Sequence, residues 1–222
     1  MIRTTAAASL IAATTVLAAK PGVILPMRER AAVVDGLLRE RLDRIVPELM
    51  REHEVDMWIV LGREYNEDPV LKTMLPATWH SARRRTILVF HDPGAPAGVE
   101  RLAVSRYAVG DLFEASWDPA EQPDQWARLV EIIESRDPER IGLNISETWA
   151  HADGLSHSQF EALHDALPSG LRERIVSAEP LAVGWLETKI PEQLDAYRHV
   201  MQVAHLVIRE AFSNEVIVPG KT

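Results

Sequence analysis

Met57 to Leu61, MWIVL, is an unbroken apolar run too short for a buried helix and of the length and type of a strand. It directly follows a helical pattern. Between Arg28 and Glu54, Leu38, Leu42, Ile45 and Leu49 recur at spacings of three and four, with Val46 and Met50 beside them. A helix leading straight into a strand of this kind implies a layered α/β domain. Pro47 interrupts the helical face, and it either kinks one helix or starts a second in its first turn.

The same alternation continues downstream. Thr86 to Phe90 reads as a second strand, Asp92-Pro93-Gly94 as a turn, and Leu102 to Val104 as a third, hairpin-connected strand. Pro123 to Ser135 is predicted to be a helix with Trp126, Leu129, Val130 and Ile133 inward, stopped before Asp137-Pro138. Ile141 to Asn144 is another strand. Ser158 with Glu161 fits a capping box opening a short helix that carries Phe160, Leu163 and Leu167 on one face. Ile175-Val176 is a last short strand before a boundary near Ala178 to Thr188. The predicted fold is therefore α/β, with a mixed β-sheet flanked by helices.

The final stretch opens with Pro191 at a first helical position, where no N–H is needed, and Glu192 in the first turn. Leu194, Tyr197, Met201, Ala204, Ile208 and Ala211 then form one apolar stripe, with Asp195, Arg198, Gln202, His205 and Arg209 largely opposite. A helix from Pro191 to Phe212 would be about 33 Å long at 1.5 Å per residue. Val216 to Val218 reads as a short strand and Pro219-Gly220 as the turn closing it.

Thr4 to Ala19 carries no charge, follows Arg3, and ends in the small residues Val16-Leu17-Ala18 or Leu17-Ala18-Ala19, as a secretory leader does. It is shorter than the ~18–20 apolar residues of a bilayer-spanning helix, so no stable membrane span is expected. The expectation is an exported, periplasmic protein. The absence of cysteine is compatible with export and decides nothing. A net charge of −9 excludes nucleic-acid binding through bulk electrostatics.

Several stretches carry candidate chemistry. Gly62 to Ala77 leaves the first strand with Arg63, Glu64, Tyr65, Asn66, Glu67 and Asp68 in succession, and clefts of α/β domains lie at such strand ends. Tyr65, Asn66, Trp79 and His80 are the candidate substrate-cleft residues; a loop packed on its own domain is the alternative. Arg83-Arg84-Arg85 reads as an ordinary charged strand edge, with an anion site as the alternative, because neighbours entering a strand alternate faces and at most two can share one side. His151, Asp153, His157, Glu161, His164 and Asp165 form a His/carboxylate cluster in which His157 and Glu161 share a helical face. Three of the six lie outside that register, so the cluster reads as a solvated surface rather than a metal site. Pro219-Gly220-Lys221-Thr222 is not a phosphate loop, because position 215 is Glu where that motif needs Gly.

The closing block, L-E-T-K-x-P-E-x-L-x-x-Y-R running on to E-V-I-V-P-G-K-T, resembles the opening of the catalytic domain in the creatinase, prolidase and Xaa-Pro aminopeptidase family of "pita-bread" metallopeptidases. The preceding order of elements resembles that family's N-terminal domain. The chain then divides into a leader at residues 1–19, a linker at 20–26, an N-terminal domain at 27–180 and the incomplete start of a catalytic domain at 181–222. The resemblance implies that the complete protein hydrolyses peptide bonds near proline with two divalent metal ions, manganese, cobalt or zinc. It places their ligands after the P-G-x-T turn, so no catalytic or metal residue is expected within these 222 residues and the chain alone is expected to be inactive. It also implies a homodimer, in which the N-terminal domain of one subunit approaches the active site of the other. One departure from the family is YNEDPVLKTMLP in place of a Tyr-Leu-x-Gly element, which leaves substrate preference open. Two alternatives stand beside this reading: a non-catalytic dimerisation or substrate-gating module, and a creatinase-like C–N hydrolase.

Overall fold

A computed structural model describes residues 24–221; the leader expected at residues 1–19 lies outside them. No helix among the described residues is long and apolar enough to cross a membrane. The described residues form two compact units, one of residues 41–188 and one of residues 24–40 together with 189–221.

In the larger unit six strands form one mixed sheet in the order β4-β3-β2-β1-β5-β6. These are β1 (Met57–Arg63), β2 (Arg85–His91), β3 (Glu100–Val104), β4 (Glu114–Ala115), β5 (Ile141–Leu143) and β6 (Ile175–Ser177). β1 pairs antiparallel with β2, from Met57 opposite His91 to Arg63 opposite Arg85, and parallel with β5. β3 continues antiparallel on β2, while β4 and β6 add parallel edges. Central β1 is buried on both faces from Met57 to Gly62, which is why it reads as a continuous apolar run rather than an alternating one.

On one face Met57, Ile59, Leu61, Ile87 and Val89 pack with Leu129, Ile132 and Ile133 of α3 (Gln125–Arg136) and Leu163 of α4 (His157–Ala166). On the other, Trp58 stacks on Phe90 with centroids 5.4 Å apart, and Phe90 meets Phe113 edge-on. α3 starts where Asp124 accepts from the backbone N–H groups of Trp126 and Ala127, and it ends at Asp137 in the left-handed region.

Pro47 lies inside one continuous helix, α1 (Met27–Glu52), which resolves the alternative left open by the sequence. An interior proline costs roughly 3 kcal/mol. Its neighbours Ile45, Val46, Leu49 and Met50 are all buried, at about 1.5–3 kcal/mol each, so tertiary packing outweighs the break. Beyond β1, Gly62 to Ala77 is not wholly loop: α2 (Pro69–Thr73) forms within it.

Within the stretch Ala178 to Thr188, where a boundary is expected, a helix forms, α6 (Glu179–Glu187), because Leu181, Ala182 and Trp185 are buried, and the larger unit ends at Thr188. Arg41 on α1 fastens it. The buried guanidinium donates to the Trp185 and Thr188 carbonyl oxygens at the C-terminal end of α6, with the Trp185 ring 3.9 Å away. Burial lowers the Arg41 pKa. The Trp185 indole N–H donates to Thr73 Oγ1 at 2.8 Å. α4 begins two residues earlier than the Ser158 capping box: Ser156 is the N-cap and Ser158 lies inside the helix. A short helix, α5 (Ser169–Arg172), leads to β6.

In the smaller unit, α7 (Pro191–Ala211) starts at the expected proline, with the Gln193 side chain accepting from the Ile190 N–H at 3.2 Å. His199 is the buried residue of α7, whereas Leu194, Tyr197, Met201 and Ile208 of the predicted stripe are exposed. His199, Ala196, Val200 and Val203 line an apolar groove with Val33, Val34 and Leu37 of α1. Val216 to Val218 form no strand. The N–H groups of Val216 and Ile217 both bond back to the Ser213 carbonyl, and no neighbouring strand is present among the described residues to offer a ladder.

Candidate functional site

The polar loop after β1 and the chain entering β2 are tied together at one end of the sheet. Arg63 and Asn66 exchange backbone hydrogen bonds at 3.2 and 2.9 Å, making a tight turn with Tyr65 at its corner. Tyr65 has φ 67° and is 87% exposed, so the backbone strain presents its ring to solvent. The Glu64 N–H donates to the Arg84 carbonyl at 2.6 Å, and Arg84 returns its own N–H to Glu64 Oε2. Glu67 Oε1 accepts from the N–H groups of Tyr65 and Ala82.

The four expected cleft residues are distributed over these two tied segments. Tyr65 and Asn66 sit exposed on the first; Trp79 is half-buried and His80 exposed on the second. Among the described residues no hydrogen bond or ring contact joins one pair to the other. Trp79 is instead covered by the Arg83 guanidinium, 5.3 Å from its ring.

The three consecutive arginines separate, and only Arg85 lies in a strand. Arg83 stacks on Trp79, Arg84 adopts φ 57° with its backbone engaged by Glu64, and Arg85 enters β2. Arg85 lies directly opposite Arg63 on β1, and directly opposed residues of an antiparallel pair project from the same face. Both continue the odd-numbered row of Met57, Ile59 and Leu61, over which α3 and α4 pack. Amides rather than carboxylates hold Arg85. Nε donates to Gln159 Oε1 at 2.9 Å, the guanidinium lies 4.4 Å from the Trp126 ring, and Nη1 is 3.5 Å from Gln125 Oε1. Gln125 is itself fixed by donating to the Val104 carbonyl at 2.7 Å and the Arg85 carbonyl at 3.1 Å.

Burial and then the Arg63 charge lower the Arg85 pKa, with Asp124 opposing. Among the described residues neither Arg63 nor Arg85 forms an ion pair with a carboxylate. Two guanidiniums side by side, one immobilised by neutral partners, can receive a carboxylate or other anion in forked geometry. Gln125 and Gln159 were missed by sequence reasoning. The available signal was that Gln159 stands four residues before Leu163, on the inward face of α4.

A second polar cluster is enclosed beside the loop. Asp68, fully buried, caps α2 by accepting from the N–H groups of Val70 and Leu71 at 2.7 and 3.2 Å. Its other oxygen accepts from Asn144 Nδ2 at 3.0 Å, and Asn144 Oδ1 accepts from the Trp58 indole N–H at 2.8 Å. Burial raises the Asp68 pKa above 3.8, its hydrogen bonds oppose the shift, and Asp153 adds to it.

The His/carboxylate cluster does not converge. His151, Asp153, His157, Glu161 and Asp165 are exposed, His164 stacks on Phe160 at 5.8 Å, and Asp153 accepts from the Ser146 N–H. Among the described residues no group of three or more potential ligands could hold a metal ion.

Fold and site together define an α/β protein whose mixed sheet ends in a paired-arginine edge. In comparison with known proteins, no family model and no curated protein sequence matches the chain.

Proposed function

We propose that this chain is the N-terminal portion of an exported metallopeptidase of the Xaa-Pro aminopeptidase and prolidase kind, acting as a homodimer on peptides near proline. The observation that supports this reading most is the succession of a mixed-sheet domain and a long helix opening at Pro191, with the P-E-x-L-x-x-Y-R and V-I-V-P-G-K-T segments in place. In this reading the metal ions belong to a segment following the Pro219-Gly220 turn and activate water for amide hydrolysis. The described residues do not fit such a metal pair, and no step of the hydrolysis is assigned to them. Their part is recognition. Arg85, held by Gln159 and Trp126, and its neighbour Arg63 bind the carboxylate of a peptide; Tyr65, Asn66, Trp79 and His80 border the approach.

A paired-arginine edge serves a creatinase-like C–N hydrolase equally well, because such a substrate also carries a carboxylate. Kinetics on a protein extended past Thr222 test the proposal. Manganese- or cobalt-dependent cleavage of Xaa-Pro peptides is expected, with Arg85→Ala raising KM about tenfold or more for free-carboxylate peptides and little for amidated ones, the loss of one charge-assisted contact. Equal effects on both peptides would remove the arginine assignment. Two metal ions bound stoichiometrically by the 222-residue chain itself, with turnover lost on chelation, would overturn the whole reading.

A further inference from the structure

Arg63 and Arg85 form the last rung of the β1–β2 ladder, and two carboxylates tie together the chain beyond them. Glu64, next to Arg63, donates its N–H to the Arg84 carbonyl at 2.6 Å and takes the Arg84 N–H on Oε2 at 3.3 Å. Glu67 reaches further. Its Oε1 accepts the Tyr65 N–H within its own loop at 3.2 Å, and at 3.1 Å the N–H of buried Ala82 in the segment entering β2. Tyr65 holds φ 67°, a costly conformation for a non-glycine residue, and the Glu67 bond to its N–H helps to fix it. The loop is tight at its base. A Cβ at Gly62 would stand 3.2 Å from the Asp68 nitrogen and 3.3 Å from Glu67 Cα, so the chain folds straight back over the strand end.

Glu64 and Glu67 are close to Arg63 in sequence, yet both carboxylates are engaged by main-chain N–H groups. The guanidiniums keep their charge uncompensated. Like charges directly opposite on paired strands destabilise the pairing, so the Arg63–Arg85 rung works against closure of this end and the two acids work for it. An anion between the guanidiniums turns their repulsion into a bridge. Anion and acids then favour the same closed arrangement, and by linkage each strengthens the other by the same factor. A loop already closed in the free chain also lowers the ordering cost of binding.

We propose that Glu67, assisted by Glu64, is a positioning residue of the arginine edge: it clasps the Tyr65 turn to Ala82, holds Arg63 beside Arg85, and couples carboxylate binding there to closure of the loop that carries Tyr65 and Asn66. This rests on the carboxylate recognition assigned above to Arg63 and Arg85. Glu67 acts through the arginines and touches no ligand. Glutamine at this position serves as well, because one amide oxygen accepts both N–H groups; alanine accepts neither.

The test is NMR on the 15N-labelled 222-residue chain, titrated with N-acetylproline, a small peptide-like carboxylate, and separately with its amide. The Arg85 Nε–H resonance, assigned by its loss in Arg85→Ala, reports binding, and exchange of the Tyr65 and Ala82 amides reports the clasp. N-acetylproline is expected to shift the Arg85 signal and to slow both amides, and its amide to do neither. Slowing that depends on ligand is what a purely structural clasp would not show, and it is read in the unmutated chain even where a variant fails to fold. Glu67→Ala should weaken binding about five- to tenfold. Exchange across Met57–Leu61 should stay unchanged, and Glu67→Gln should bind as the unmutated chain does. Unchanged affinity in a folded Glu67→Ala, or binding that leaves the Tyr65 and Ala82 amides untouched, overturns the clasp while the arginine assignment stands. Failure of the unmutated chain to bind N-acetylproline, or binding unaltered by Arg85→Ala, overturns the arginine assignment and the clasp with it.

Discussion

Gly154→Ala should be among the most destabilising single-methyl additions available to this chain. The new Cβ would occupy space already taken by Asp68 Oδ2 and Cγ, and would stand 2.7 Å from Pro69 Cδ. Neither neighbour yields cheaply. Pro69 is the first residue of α2, and Asp68 is held by three hydrogen bonds within a fully buried site. Overpacking of a filled interior costs typically 1–3 kcal/mol. Displacing Asp68 also breaks the Asn144 contact, and a hydrogen bond to a charged group contributes about 1.5–3 kcal/mol. The combined loss is about 3–5 kcal/mol, equivalent to a fall in Tm of roughly 10 °C for a chain of this size. Gly170→Ala is the control: a Cβ there meets nothing within 4 Å, and in helix α5 alanine is favoured by about 0.5–1 kcal/mol. Urea unfolding of both variants, compared at constant m-value, measures the difference. If Gly154→Ala lies within about 1 kcal/mol of Gly170→Ala, the carboxylate is not the rigid seat described above.

Two further outcomes are expected. N-terminal sequencing of protein recovered from the exported fraction of a native-like host should begin near Ala19 or Lys20, and recovery of intact Met1 there would remove the leader assignment. Amide exchange across α7 should be much faster than across β1, since Leu194, Met201 and Ile208 are exposed where Met57 to Leu61 are buried. Equal, strong protection in a verified monomer would show that α7 has a covering partner.

The parts of the fold legible in the sequence were those whose evidence is local. Met57–Leu61 and Thr86–Phe90 are apolar runs of strand length bounded by turns, and both became central strands. Val216–Val218 has similar composition but no neighbouring strand to bond, so local turn hydrogen bonds won. The helical state of α6 was not legible within the expected boundary stretch; it is set by burial of Trp185 and by Arg41, over a hundred residues away in sequence. The apolar stripe of α7 is legible in its periodicity, and Leu194, Met201 and Ile208 on it are exposed. Periodicity reports which residues share a face, not whether anything covers it. The site divides the same way. Tyr65, Asn66, Trp79 and His80 stand in conspicuous polar segments, whereas the Arg63–Arg85 pairing depends on strand register. Asp68 depends on Asn144, 76 positions away. The one local hint of Asp68 was its place just before Pro69, a capping residue followed by a first-turn proline.

The two polar clusters at this end of the sheet have opposite remaining capacities, and the difference decides what the edge can receive. Asp68 has its oxygens engaged by Val70, Leu71 and Asn144 and no exposure to solvent, so it has nothing to offer a ligand. Arg85 carries five N–H hydrogens, of which the Gln159 bond uses one and the long Gln125 contact at most another. Arg63, opposite it, is exposed and makes no ion pair among the described residues. A free cation approaching here would meet two like charges, whereas an anion would relieve the repulsion between them. At this edge the chain, of net charge −9, sets two arginines opposite each other and holds one of them with neutral amides, which fits the proposed recognition of a substrate carboxylate. Replacing Gln159 with Glu would put a carboxylate within reach of Arg85 and fill that capacity from inside the protein. Under the proposed function, the buried glutamine is what leaves this capacity for a substrate carboxylate.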